Sequence, residues 1–260
     1  MQRTILQIGT TILIVLLSLG LTGCGGSKVL KDAEPVTPVK PLTTVSDQRL
    51  EAHLDWVIVR AGPGTWAKNA DWDEYLLRVR NLSDAPIRIT GVAIYDSLDT
   101  RLESSANRKN LVKASRKSVR RYSNEGLEVK AGLGGPTLLA VGGTALIAAP
   151  AYALAVLTGS ASAGAAGVAV AAAALGPVLV VGGIVRSKNN DRVAREMVNR
   201  HTALPVDISP EEQQSMDFFF PLAPSPRQIE LTYVDSSGEH KLIIDTKEIL
   251  QGLHIDNADQ

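Results

Sequence analysis

Residues 131–185 read AGLGGPTLLAVGGTALIAAPAYALAVLTGSASAGAAGVAVAAAALGPVLVVGGIV. These 55 residues lie between Lys130 and Arg186 and carry no charged side chain. A helix crosses a hydrocarbon core with about 20 residues. Leu138–Thr158 and Ala165–Val185 are each long enough for one pass, with Gly159-Ser160-Ala161-Ser162 as the turn between them. An apolar stretch of this size must be hidden from water, and two solutions stay open: a hairpin inserted in a membrane, or a helical hairpin buried by self-association. Small residues recur at Ala151, Ala155, Gly159, Ala163, Gly167 and Ala171, a spacing that lets helix backbones approach closely. Pro150 and Pro177 kink the two passes, which packed membrane helices tolerate.

Outward from this stretch the chain turns basic. Residues 101–130 hold nine Lys/Arg against three Asp/Glu, and residues 186–200 hold five against two. Leu111, Ala114 or Ser115, Val119 and Tyr122 on one side, and Val193 and Met197 on the other, give thin apolar stripes at helical spacing. Two helices are expected to run into and out of the insertion. Their cations suit anionic lipid headgroups, with Lys113, Arg116, Lys117, Arg120, Arg121, Arg186 and Lys188 as the candidate contacts. A solvated face, or pairing with the acidic remainder of the chain, is the competing assignment.

Further out, periodicity switches to two. Leu54–Val59 is a β-branched run closed by Gly62-Pro63-Gly64, and Tyr75, Leu77 and Val79 alternate with Arg78 and Arg80. Ile87 and Ile89 face one way, and beyond Gly91 the apolar positions become Val92 and Ile94, a phase change that predicts a β-bulge. Strand patterns resume after the insertion at Pro205–Ile208, Phe218–Phe220, Ile229–Tyr233 and Lys241–Ile244, the last two joined by Ser236-Ser237-Gly238. Ser209-Pro210-Glu211-Glu212 predicts a single helical turn. These segments are acidic: 28–100 and 201–260 carry net charges of −2 and −8 within a chain whose 27 Lys/Arg balance 27 Asp/Glu. Three strands before the insertion and four after it are too few to close separately. Together they predict a mainly β fold with an α insertion, an immunoglobulin-like β-sandwich of roughly seven strands interrupted by a long helical hairpin.

At the amino terminus Arg3 precedes an uncharged apolar core, Ile5–Leu21, and Leu21-Thr22-Gly23-Cys24 closes it. This resembles the lipobox of bacterial lipoprotein signal peptides, an aliphatic residue, two small residues and cysteine. The resemblance implies cleavage between Gly23 and Cys24 and a diacylglycerol thioether, with palmitate-type chains, on the only cysteine of the chain. Gly25 stands where an aspartate would imply inner-membrane retention, so the resemblance further implies the outer membrane, facing the periplasm. Gly25–Thr44, with Pro35, Pro38 and Pro41, predicts an extended tether with no folded element. In composition, the Ala/Gly-rich insertion resembles the glycine-zipper segments of some bacterial outer-membrane lipoproteins.

Chemistry is thinly marked. His53, His201, His240 and His254 have no second ligand at metal spacing. Asp71, Asp73 and Glu74 cluster beside Trp66 and Trp72, which suits either a cation or sugar site or a polar loop between strands. Gly132–Thr137 lacks the lysine of a phosphate loop. No Ser, His and Asp fall into a nucleophile pattern. An exported chain does not meet nucleic acid. The expected organisation is a signal peptide at 1–23, a tether at 24–47, half of the β domain at 48–100, the helical insertion at 101–203 with its hairpin at 131–185, and the second half at 204–260. The expected function is interaction or assembly in the cell envelope. Partners are membrane lipid and either other copies of the chain or an envelope protein. Neither a small-molecule substrate, a metal nor a cofactor is expected, apart from the covalent lipid on Cys24. The alternative is an oligomeric membrane-perturbing or channel-forming lipoprotein.

Overall fold

The structure, a computed structural model, describes residues 26–31, 33, 40–132 and 175–255, without the side chains of 175–186. Residues 133–174, which hold the first apolar pass, the expected hairpin turn and the first part of the second pass, lie outside the described residues. So do Gly23 and Cys24. The elements are β1 (Lys28–Val29), β2 (Thr43–Ser46), β3 (Leu50–Ile58), β4 (Ala67–Lys68), β5 (Trp72–Asn81), β6 (Ile87–Tyr95), β7 (Arg101–Glu103), α1 (Arg108–Asn124), α2 (Leu175–Arg200), β8 (Val206–Ile208), β9 (Gln213–Pro221), β10 (Gln228–Asp235) and β11 (Gly238–Asp245). The fold is mainly β, all described strand pairs are antiparallel, and two helices are present among the described residues. None of the described helices is long and apolar enough to cross a membrane.

One sheet has the order β2-β3-β5-β9, and the second β11-β10-β6-β7, with β8 also paired to β6. Strands from the two sides of the insertion are direct neighbours: Trp72 to Arg80 of β5 pair with Pro221 to Gln213 of β9, and β10 pairs along β6. Period-two patterning explains the core. Leu50, Ala52 and Leu54, then Tyr75, Leu77 and Val79, and Phe218 and Phe220 from the first sheet meet Ile87, Ile89, Val92, Ile94, Ile229, Leu231, Leu242 and Ile244 from the second. The bulge falls where the phase change places it. Gly91 lies opposite Thr232 and Ile89 opposite Tyr233, so Thr90 is the extra residue.

Ser209–Glu212 is a reverse turn where a helical turn is expected. Glu212 N–H donates to the Ser209 carbonyl at 3.1 Å, and Glu211 has φ 59°. The chain must pass here from β8 in the second sheet to β9 in the first, and a reverse turn does this in four residues where a helix would carry it onward. The expected tether also departs from a featureless linker. Lys28 and Val29 pair with Lys68 and Ala67, and Leu30 N–H donates to the Trp66 carbonyl at 2.8 Å.

The helices cover the outer face of the first sheet. Asn107 caps α1, its side chain accepting from Lys109 and Asn110 N–H. The buried stripe of α1 is Leu111, Ser115, Ser118 and Tyr122, so Ser118 turns inward where Val119 was expected. Ser115 Oγ lies 2.6 Å from the Asp71 carbonyl and accepts from Leu222 N–H at 3.0 Å, fastening the helix to backbone between strands. Strands from both sides of the insertion pair within each sheet, and the two sheets share one core, so the described body is expected to fold without residues 133–174. Loop-closure cost rises only slowly with length. Replacing them by a flexible Gly/Ser linker of about 20 residues is expected to preserve a single cooperative urea transition and the β-type circular dichroism.

Candidate functional site

The site is where the insertion joins the β body, and β5 organises it. Successive side chains of a strand point to opposite faces. Trp72 and Glu74 therefore lie under the helices, while Asp73 and Tyr75 point between the sheets. On the helix side Trp66, Trp72, Leu111, Val193, Met197 and Phe219 form a second apolar cluster. Glu74 sits in it at 2 % exposure. Its Oε2 accepts from Trp66 Nε1 at 2.6 Å, and Arg200 of α2 approaches Oε1 at 3.8 Å while stacking 5.0 Å over the Trp66 ring. Burial pushes the Glu74 carboxyl up to about 7, against the Trp66 hydrogen bond and the Arg200 charge. Burial raises Asp217 of β9 as well.

On the core side Asp73 meets His254, both wholly buried. His254 Nδ1 faces the Lys130 carbonyl at 3.1 Å, and a carbonyl only accepts, so Nδ1 carries a proton. Nε2 lies 2.6 Å from Asp73 Oδ2. Burial alone would lower the His254 pKa; the Asp73 carboxylate outweighs it, and the pKa is raised. In its protonated form the ring donates at both nitrogens, to the Lys130 carbonyl and to Asp73. Lys130 N–H donates back to the His254 carbonyl at 3.0 Å, and Val129 bridges Ile255. The chain is pinned where it leaves for the insertion. At Gly132, with φ +120°, a Cβ would stand 3.0 Å from the Arg60 carbonyl, so glycine is required for this close approach.

The acidic cluster expected as a cation or sugar site is therefore divided. Asp73 and Glu74 occupy opposite faces, and Asp71 pairs with Arg60 at 3.3 Å near the surface. Among the described residues no group of three or more His, Cys, Asp or Glu is placed to hold a metal ion. Ser237, His240 and Asp235 have the composition of a hydrolytic triad but not its geometry. Ser237 Oγ and Asp235 Oδ1 both address the same ring nitrogen, Nε2, at 2.8 and 3.0 Å, so the carboxylate cannot orient the base from its far side. His53 lies against Thr44 and Glu51, and His201 packs its ring on Phe218.

Of the candidate lipid contacts, Lys113, Arg116, Lys117 and Arg120 are exposed on α1, and Lys188 is exposed on α2. Together with Arg108, Lys109, Val112 and Asn190, the four α1 cations line an open groove of about 490 Å³ between the helices. Arg121 is turned away: it pairs with buried Asp96 and lies over the Tyr122 ring, because the helical position before Tyr122 faces the end of β6. Arg186 lies in α2, in the part without described side chains. Sequence reasoning missed two features here. Lys109 belongs to the exposed basic face, and Ser27, 2 % exposed, donates to the Asn69 carbonyl and accepts from Arg108, each at 3.1 Å. Comparisons of the chain with family models, curated proteins and solved structures gave no match.

Both attachments carry a pH signature of the same sign. The folded protein holds the Glu74 proton to about 7, whereas the unfolded chain releases it near 4.5, so stability falls as pH rises between those values. The His254 contribution is complete below the ordinary 6.5 and is lost as pH rises through the raised value. Glu74→Gln is expected to stabilise the protein at pH 8 by up to about 3 kcal/mol and to leave pH 4 nearly unchanged, read from urea unfolding midpoints at the two pH values. His254→Ala strands a buried carboxylate. It is expected to cost about 3–5 kcal/mol at pH 6 in the same assay, with Asp73→Asn/His254→Gln together costing less.

Proposed function

We propose that this chain is a non-catalytic lipoprotein of the bacterial cell envelope, anchored through diacylglycerol on Cys24 in the outer membrane and facing the periplasm. Its work is interaction or assembly at the membrane, through its β domain and its apolar insertion. The observation that carries this is Leu21-Thr22-Gly23-Cys24 at the end of an uncharged apolar core, with the chain's one cysteine at the lipidated position. Two or more acyl chains make such an anchor firm. The β domain is an immunoglobulin-like sandwich. In its support, β3-β5-β9 and β11-β10-β6 follow the A-B-E and G-F-C neighbour relations of that fold, with the insertion falling between β7 and β8. The two attachments at Asp73–His254 and Glu74–Arg200 support a role in which the body presents the insertion from fixed points rather than trailing it as a tail.

Metabolic labelling with a fatty acid bearing an alkyne tests the anchor. Wild-type protein is expected to take the label and sediment with outer membranes, and Cys24→Ala to take none. An unlabelled wild type rejects the lipoprotein assignment. Where Cys24→Ala, exported behind a signal peptide that is cleaved without lipidation, still sediments with membranes after a high-salt wash, the hairpin is inserted; release as a soluble monomer excludes insertion.

A further inference from the structure

We propose that the protein lies against an anionic phospholipid bilayer with its helical layer down, the contact face being residues 27–31, the exposed cations of α1 and the 192–199 stretch of α2. The inference rests on acylation of Cys24 and adds which side of the body meets lipid. Three peptide units join Cys24 to Ser27, and an extended chain covers at most about 11 Å in three residues. Ser27 is buried, bonded to Asn69 and to Arg108, and the next residues are paired to β4 and packed on α2 through Val29. The acyl chains therefore leave the body within that reach of Arg108, the first residue of α1. A longer mobile tether would leave orientation open; this attachment does not.

What surrounds that point suits a headgroup surface. Lys109, Lys113, Arg116, Lys117 and Arg120 are exposed, and no carboxylate of the described residues lies within 4 Å of them. Along a helix this stripe is about 17 Å long. Beside residues 29–31, Leu30 at 36 % and Val198 at 60 % exposure flank a second groove that also carries Lys31, Arg192 and Arg195. Among the described residues of the two helices the acids are Asp191, which is exposed, and Glu196, which is held by Arg200 at 2.9 Å. The opposite face belongs to the second sheet, where the cations are paired, Arg88 with Asp207 and Lys241 with Glu230. A cationic stripe beside apolar side chains at the anchor, facing away from a sheet whose cations are paired, orients the body toward anionic lipid.

The acylated thiol leaves any introduced cysteine as the chain's one reactive thiol. Full-length protein carrying a fluorophore at Lys117→Cys, Val198→Cys or Ile243→Cys is reconstituted in phosphatidylglycerol-rich vesicles containing a lipid with a quenching headgroup. Quenching at 117 and 198 is expected to exceed that at 243 by about threefold or more. Equal quenching, or stronger quenching at 243, overturns the orientation. The intact mass of the same sample reports acylation. An acylated protein with equal quenching rejects the orientation alone, while an unacylated one rejects the anchor and this inference with it. Changing Lys113, Arg116, Lys117 and Arg120 to Gln, all exposed positions, is expected to at least halve quenching at 198; unchanged quenching overturns the part assigned to charge.

Discussion

A β-strand sends successive side chains to opposite faces, and on β5 that alternation separates two adjacent carboxylates. Asp73 enters the space between the sheets and holds the ring of His254, which in turn holds the Lys130 carbonyl where the insertion begins. Glu74 enters the layer under the helices and meets Trp66 and Arg200 where the insertion ends. Two neighbouring residues thus fix both ends of a long excursion of the chain. The pleat requires this division in any register, and a one-residue slip would only exchange the two carboxylates while inverting Tyr75, Leu77 and Val79 out of the core.

Neither attachment optimises stability. Asp73 Oδ1 and Glu74 Oε1 have no hydrogen-bond partner among the described residues, and a buried ion pair contributes little over an apolar pair of the same volume. Their energetics are asymmetric instead. Removing His254 leaves the Asp73 carboxylate where water cannot reach it, so that contact is enforced by the cost of losing it. The elevated Glu74 pKa reports the same balance, because burial outweighs the hydrogen bond and the guanidinium that oppose it. Position, more than stability, is what these groups determine.

How much of this was legible depended on length of pattern. β3, β5, β6, β8, β9, β10 and β11 announced themselves by alternation or β-branched runs, and even the extra residue at Thr90 showed as a phase change. β1, β4 and β7 are two or three residues long, too short for any period to register. In α1 Leu111, Ser115 and Tyr122 lie on the inward stripe as their spacing predicts, while Ser118 takes the place of Val119, because serine carries no apolar signal. The burial of Glu74 had a signal in hindsight: it shares parity with Trp72 on a strand whose other face was already the core, so a second covering layer was required. His254 had none. Its partner is distant in sequence, and only the return of the chain after β11 brings them together.

Charge segregation follows from the same architecture. The helices must cover Trp72, Glu74 and Phe219 with thin stripes of apolar and small side chains, which leaves most of each helix surface facing water. That surface carries Lys109, Lys113, Arg116, Lys117 and Arg120, while the acids are concentrated in the β segments, with −8 in 201–260 alone. A neutral chain can spread its charges evenly; this one collects cations on the two helices that flank the apolar insertion, the layer against which residues 27–30 pack. Ser27 is bonded to Arg108 at the start of α1, and Val29 packs in the cluster under the helices. The clamped serine and the basic helix face therefore share one layer, and which layer that is follows from which face of β5 the helices cover.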